Sequence, residues 1–400
     1  MLYYILLLLI SVSCNVNSSD QLFDPDSFPS IPTFPDQNPD PESFPPTPDF
    51  PNLDVNSWKY LTSTKILSGR MVSSEHITVS DNNTPYISFL NGGKIYVYRW
   101  SGNDWIQIGS EISAESHHSL ITFKNIPYIT YIANNKSFVQ KFNYNSNTWI
   151  NAHNDNTLST TEKLRVISLY PYQNRLYLMY VEDTSKKLHI KYLNNKSWES
   201  CGETSNDRFD GSVNNGIQMS FYNNTPYIAL KRFFDSEPVV LILKNNKWEP
   251  ISAPNIPNRK SLYSDYFFYI DSNGIMYLSF LSDTFASTLG TFEIFKLYNN
   301  KWNTAIPFSN KIYGYQTILY QKKLYIAYSH SLDPLVQKED KVQFDRFDEA
   351  LALENKDMNI ISDLGSTGAN VKIAIKDNRI YALYLDRKIN SLVIKSSLLK

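Results

Sequence analysis

The sequence predicts an all-β fold: a seven-bladed β-propeller of four-stranded antiparallel blades, closed by an N-terminal strand that completes the last blade. Three observations predict it. A Tyr embedded in an apolar run recurs along the chain, at Tyr86, Tyr128, Tyr177, Tyr227, Tyr277, Tyr325 and Tyr381. A Trp just after a polar turn recurs between those positions, at Trp105, Trp149, Trp198, Trp248 and Trp302. The chain also ends out of phase with its own repeat. The last copy, "VKIAIKDNRIYALYLDRKINSLVIKS", stops before a Trp strand, and an orphan, "NSWKYLT" around Trp58, precedes the first copy. Successive Tyr residues lie 42 to 56 apart, close to the roughly 40–50 residues of common propeller blades.

Each unit reads as four short strands, a to d. In the first, "HITVS" is strand a, "PYISFL" strand b, "KIYVYRW" strand c and "DWIQIG" strand d. Pro85 opens strand b, where its missing N–H is tolerated. Strand b is apolar nearly throughout, as in "LYLMYV" and "MYLSFL", the pattern of a strand covered on both faces. Strand c alternates, with polar positions such as Lys191 and Lys296. Burial should therefore fall outward, with the strand d Trp wedged between blades. In the sixth unit "VQFDRFDEALAL" stands where the Trp strand is expected. Pairing the Trp58 strand with the last copy closes the ring and removes two raw sheet edges. The repeats resemble those of bacterial surface and secreted β-propellers with a "PYVAY…YNGxxW" type unit, over about Val55 to Lys400.

The chain before the ring divides into residues 1–13, 14–23 and 24–53, with the propeller at 54–400. "MLYYILLLLISVSC" is too short to span a bilayer, which needs about 20 apolar residues, and matches the apolar core of a signal peptide. It resembles a bacterial lipoprotein signal, which implies cleavage before Cys14 and a lipid on Cys14. The implied location is the bacterial cell envelope, anchored to a membrane and exposed at the surface or on the outer membrane, with plain secretion as the alternative. Residues 14–23 would be the tether. The stretch 24–53 is Pro-rich and acidic. Pro fixes φ and removes donors, so this is an extended spacer rather than a helix or central strand.

Charge and cysteine usage limit the functions. Lys+Arg total 38 against 39 Asp+Glu, which argues against a nucleic-acid partner. Cys201 reads as a small buried filler, because "WESCGETSND" offers no cation to activate a thiol. No metal-ligand spacing, Gly-rich phosphate loop or cofactor motif appears. Neither the Asp boxes nor the arginine cluster of sialidases can be assembled.

The expectation is thus a monomeric, non-enzymatic, surface-exposed binding module for a protein or glycan. The alternatives are a lectin-type propeller and a glycan-acting hydrolase or lyase. The a–b and c–d turns read short and Asn-rich, whereas the b–c and d–a loops read long and irregular. Long loops held by a rigid scaffold more often carry function. The candidate ligand-binding residues in or beside them are His117, His118, Asp207, Arg208, Asp210, Arg259, Tyr263, Asp283, Phe285, Tyr313, His330 and Asp333.

Overall fold

The computed structural model describes residues 58–61, 72–115, 118–153, 164–204, 207–210, 217–233, 238–251, 262–283, 290–298, 301–331, 340–348, 351, 353–354, 361, 368–386 and 389–399. The leader, Cys14 and the Pro-rich segment lie outside them. Among the described residues the chain is all strand and turn, without a helix.

Seven antiparallel blades form a β-propeller. Blade one runs Ser73–Val79, Pro85–Asn91, Lys94–Trp100 and Trp105–Gln107, in that order across the sheet. Blade seven runs Gly368–Lys376, Arg379–Asp386 and Ser391–Leu398, and its fourth strand is the N-terminal Lys59–Tyr60. Lys59 pairs with Ser396 and Tyr60 with Lys395, and the Leu61 amide donates to the Ile394 carbonyl. Trp58 lies one residue before this strand, its ring edge-on to Phe344 of blade six at 5.6 Å. The ring is closed as the orphan strand required.

The repeat residues act in pairs. Every repeat Tyr on strand b is buried, from 0% exposed at Tyr86 to 6% at Tyr128, and faces the following blade. Every strand d Trp faces the preceding blade. Tyr177 and Trp248 thus share the apolar cluster between blades three and four, and Tyr227 and Trp302 the next one. The series runs through Tyr325 and Trp58 to Tyr381 and Trp105, where blade seven meets blade one. The one Trp-less junction, between blades five and six, is filled by Phe347 and Leu351.

Two boundaries differ from the sequence reading. "VQFDRF" is strand c of blade six: Asp340–Phe347 pairs with Lys323–Ser331. Its place was misread because blade six lacks the Trp that marks strand d. Beyond it, among the described residues, Leu353, Glu354 and Ile361 bond back along that strand. Nor are all the b–c and d–a connections long. Gly92-Gly93 and Asn134-Asn135 are two-residue turns, and Lys301–Tyr320 runs unbroken from blade five into blade six, pairing with a strand of each.

On the opposite face the turns are short among the described residues. Both central residues often take positive φ, as at Asn223/Asn224, Asn245/Asn246 and Asp377/Asn378, which two-residue hairpins require and Asn tolerates. These turns also bind one another. The Asn82 amide donates to Asn125 Oδ1 (2.8 Å), Gln173 Nε2 to Asn224 Oδ1 (2.9 Å), and the Asn378 amide to Tyr320 Oη (3.0 Å). Part of the chain's Asn content is thus structural.

Candidate functional site

The strand a segments of neighbouring blades pack against one another all the way round the ring, so they surround the axis. At one level of these strands the residue paired two positions beyond the repeat Tyr can be read off each blade. The series is His76, Ser119, Ser168, Gln218, Phe267, Gln316 and Lys372. All are half-buried. They form a mostly polar collar around the axis, and each faces the following blade, as the repeat Tyr does.

Most positions of this collar are themselves neutral: Ser119, Ser168, Gln218, Phe267 and Gln316. Gln316 Oε1 accepts from the Ile373 amide across the blade six to seven junction at 2.7 Å. Two junctions differ, and both flank strand a of blade one. Between blades one and two, His76 meets His118, with ring centroids 4.8 Å apart and planes at 67°. His118 is buried at 4% exposure, and its Nε2 lies 2.8 Å from Ser88 Oγ, itself fully buried. Between blades seven and one, Lys372 faces Glu75, which is 2% exposed. Burial pushes the Glu75 carboxyl above the ordinary carboxylate range, against smaller opposing effects of a backbone hydrogen bond and the Lys372 charge. A β-bulge between Ser73 and His76, with Ser74 at φ 53°, sets these two side chains.

Glu75, His76, Ser88, His118 and Lys372 therefore gather titratable chemistry at one sector of the axis. No group of three or more His, Cys, Asp or Glu side chains suited to a metal occurs among the described residues.

Of the residues predicted from sequence, only His118 enters this cluster. It does so as a buried strand residue, the first of His118–Phe123, rather than as a loop ligand. Asp207 and Arg208 are exposed between blades three and four, where the Arg208 guanidinium lies 5.6 Å from the Phe233 ring centroid. Asp210 pairs with Lys231 in a short added strand. Tyr263 lies inside Leu262–Ile270, Asp283 ends Met276–Asp283, and His330 precedes the last residue of Lys323–Ser331. Tyr313 is corrected from loop to strand, because no loop separates blades five and six. His117, Arg259, Phe285 and Asp333 lie outside the described residues. Glu75, His76, Ser88 and Lys372 were missed. Aligning the copies on the repeat Tyr and reading back across the hairpin would have found the collar positions.

No family model and no curated protein matches the chain. Among solved structures, the polysaccharide lyase Uly1 is similar over 84% of this chain and 91% of its own, with TM-score 0.52 and 9% identity. YjhT covers 80% of this chain and 99% of its own, with TM-score 0.46 and 13% identity. At such identities the likeness is one of fold. It still corrects the expectation of a non-enzymatic module. That expectation rested on the lack of a familiar motif, and Uly1, similar in fold, is a polysaccharide lyase.

Proposed function

We propose that the protein cleaves polysaccharides by elimination, with its site at the axial cluster of blades seven, one and two. The observation that carries this reading is the meeting of His76, His118, Glu75 and Lys372 at one sector of an otherwise neutral collar. The similarity in fold to a polysaccharide lyase supports it.

Elimination breaks a sugar–oxygen bond without water. A base takes the proton beside a carboxylate, the electron pair forms a C=C bond, and the glycosidic C–O bond breaks. The leaving oxygen then takes a proton. His76 is suited to be the base, since it is half-buried on the collar and a neutral imidazole accepts a proton near neutral pH. Its imidazolium can return that proton to the leaving oxygen. Lys372 is the collar's cation, placed to stabilise charge growing on the sugar carboxylate. His118, fixed by Ser88, packs against the His76 ring and orients it.

The test is incubation of the soluble ring with a panel of uronate-containing polysaccharides, following ultraviolet absorbance of unsaturated products. Turnover by the wild type that falls at least about a hundredfold in His76→Ala is expected. Binding without turnover across the panel, or full activity of His76→Ala, contradicts the proposal.

A further inference from the structure

The junction between blades seven and one contains a pairing that elimination alone does not require. Lys372 is half-buried on the collar, and Glu75 lies buried behind it on the neighbouring inner strand. Oε1 of Glu75 has no hydrogen-bond partner. An unpaired carboxylate oxygen in a low-dielectric junction favours the neutral acid. We infer that Glu75 and Lys372 make the axis a proton-coupled anion site: an anionic group of the ligand engages Lys372 while Glu75 is protonated, and the Glu75 carboxylate competes for Lys372 once ionised.

The inference rests on the reading above only in taking the ligand to be an acidic glycan. Its physical basis is linkage. A neutral Glu75 leaves the Lys372 charge directed at whatever occupies the channel. An ionised Glu75 in the same junction opposes that charge. Ligand binding and proton uptake by Glu75 must then favour each other to the same extent. Glu75 rises above its ordinary range through burial, so affinity is high below that range and falls as pH rises through the shifted value.

Other groups face this junction from the packed strands. On Gly368–Lys376, Lys376 is 3.2 Å from Asp81 at the short-turn end. Tyr381 faces it from Arg379–Asp386, with Arg379 beside it, while Tyr86 and His118 face the neighbouring junction between blades one and two. The share of proton uptake that belongs to Glu75 is therefore isolated by substitution at Glu75 itself.

The experiment is calorimetric titration of the soluble ring with a glucuronate-containing oligosaccharide, repeated in two buffers of different ionisation enthalpy to count the protons taken up. Wild type is expected to bind with proton uptake and to weaken about tenfold per pH unit above the Glu75 transition. Glu75→Gln, nearly the same shape, should keep tight binding while losing that share of proton uptake and pH dependence. Lys372→Gln should lose at least about tenfold in affinity, and Lys372→Arg should restore it. Unchanged proton uptake in Glu75→Gln, undiminished binding in Lys372→Gln, or no binding of the probe by wild type at any pH overturns the inference. Because the readout is binding, coupled binding without cleavage would sink the elimination proposal alone. Cleavage with no Glu75 coupling would sink this one alone.

Discussion

Cys201 is explained by its place in the repeat. Three residues after each strand d Trp the chain has Leu61, Ile108, Ala152, Cys201, Ile251 and Ala305. The amides of the first five donate to the neighbouring strand c, as Cys201 does to Ile190 at 2.8 Å. The thiol is 9% exposed, and burial raises its pKa to about 11, so it is an inert filler. The residue after it is Gly202, at φ 80°, and a Cβ there would collide with Leu243 and lie 3.1 Å from Trp248 Nε1. That indole N–H donates to the Cys201 carbonyl at 2.6 Å. Gly202→Ala should therefore cost about 1–3 kcal/mol, read as a lower denaturant midpoint; no change would contradict the wedge. The buried tyrosines make a second prediction at this scale. Burial raises Tyr131, Tyr180 and Tyr227 to about 12. The raised folded value favours the neutral phenol, so this stabilisation is whole below about pH 10 and is lost as pH climbs towards 12. Phenolate absorbance and unfolding should rise together in that window. Ionisation of these residues at pH 10 in a folded protein would contradict it.

Among elements, the closing strand and blade six decide how far the sequence could be read. The closing strand was legible because a Trp strand without a blade and a blade without a Trp strand are complementary absences. Its hold is local: two ladder residues, the Leu61 amide, and Tyr60, over whose ring Lys395 Nζ sits at 4.6 Å. Tyr60 is 50% exposed, so Tyr60→Ala should cost only about 0.5–1 kcal/mol, whereas deletion through Thr62 should lower the unfolding temperature of the ring as one transition. Blade six was misread because its signal is ionic rather than aromatic. Arg346 Nε lies 2.6 Å from Glu354, and Lys323 Nζ 2.9 Å from it, tying the outer chain where other blades have Trp. Glu354→Ala should cost about 1–3 kcal/mol, and equal stability would show that the pairs are incidental. The axial cluster was not legible in the loops. Glu75 and His76 stand far from Lys372 in sequence, and the register of the hairpins brings them to one sector. Loop length pointed instead to the rim, and it overcounted, because the blade five to six connection is a strand.

For the whole molecule, ring closure means that each blade is held by two neighbours, so its seven apolar junctions should unfold cooperatively. The proposal that Cys14 carries lipid concerns where this ring is held. Cys14→Ala should move the protein from the membrane to the soluble fraction; a wild type already soluble and without lipid would contradict it. The ring's symmetry is broken chemically at blade one, which neutral drift of exposed loops would not produce at a half-buried inner level. The most direct measurement of that claim is amide hydrogen exchange of the soluble ring with and without a saturating uronate oligosaccharide. Protection is expected at Ser73–Val79, His118–Phe123 and Gly368–Lys376, with the short turns at Asn195 and Asn246 unchanged. Protection confined to those turns, or to the exposed Asp207–Arg208 sector, would contradict the axial site.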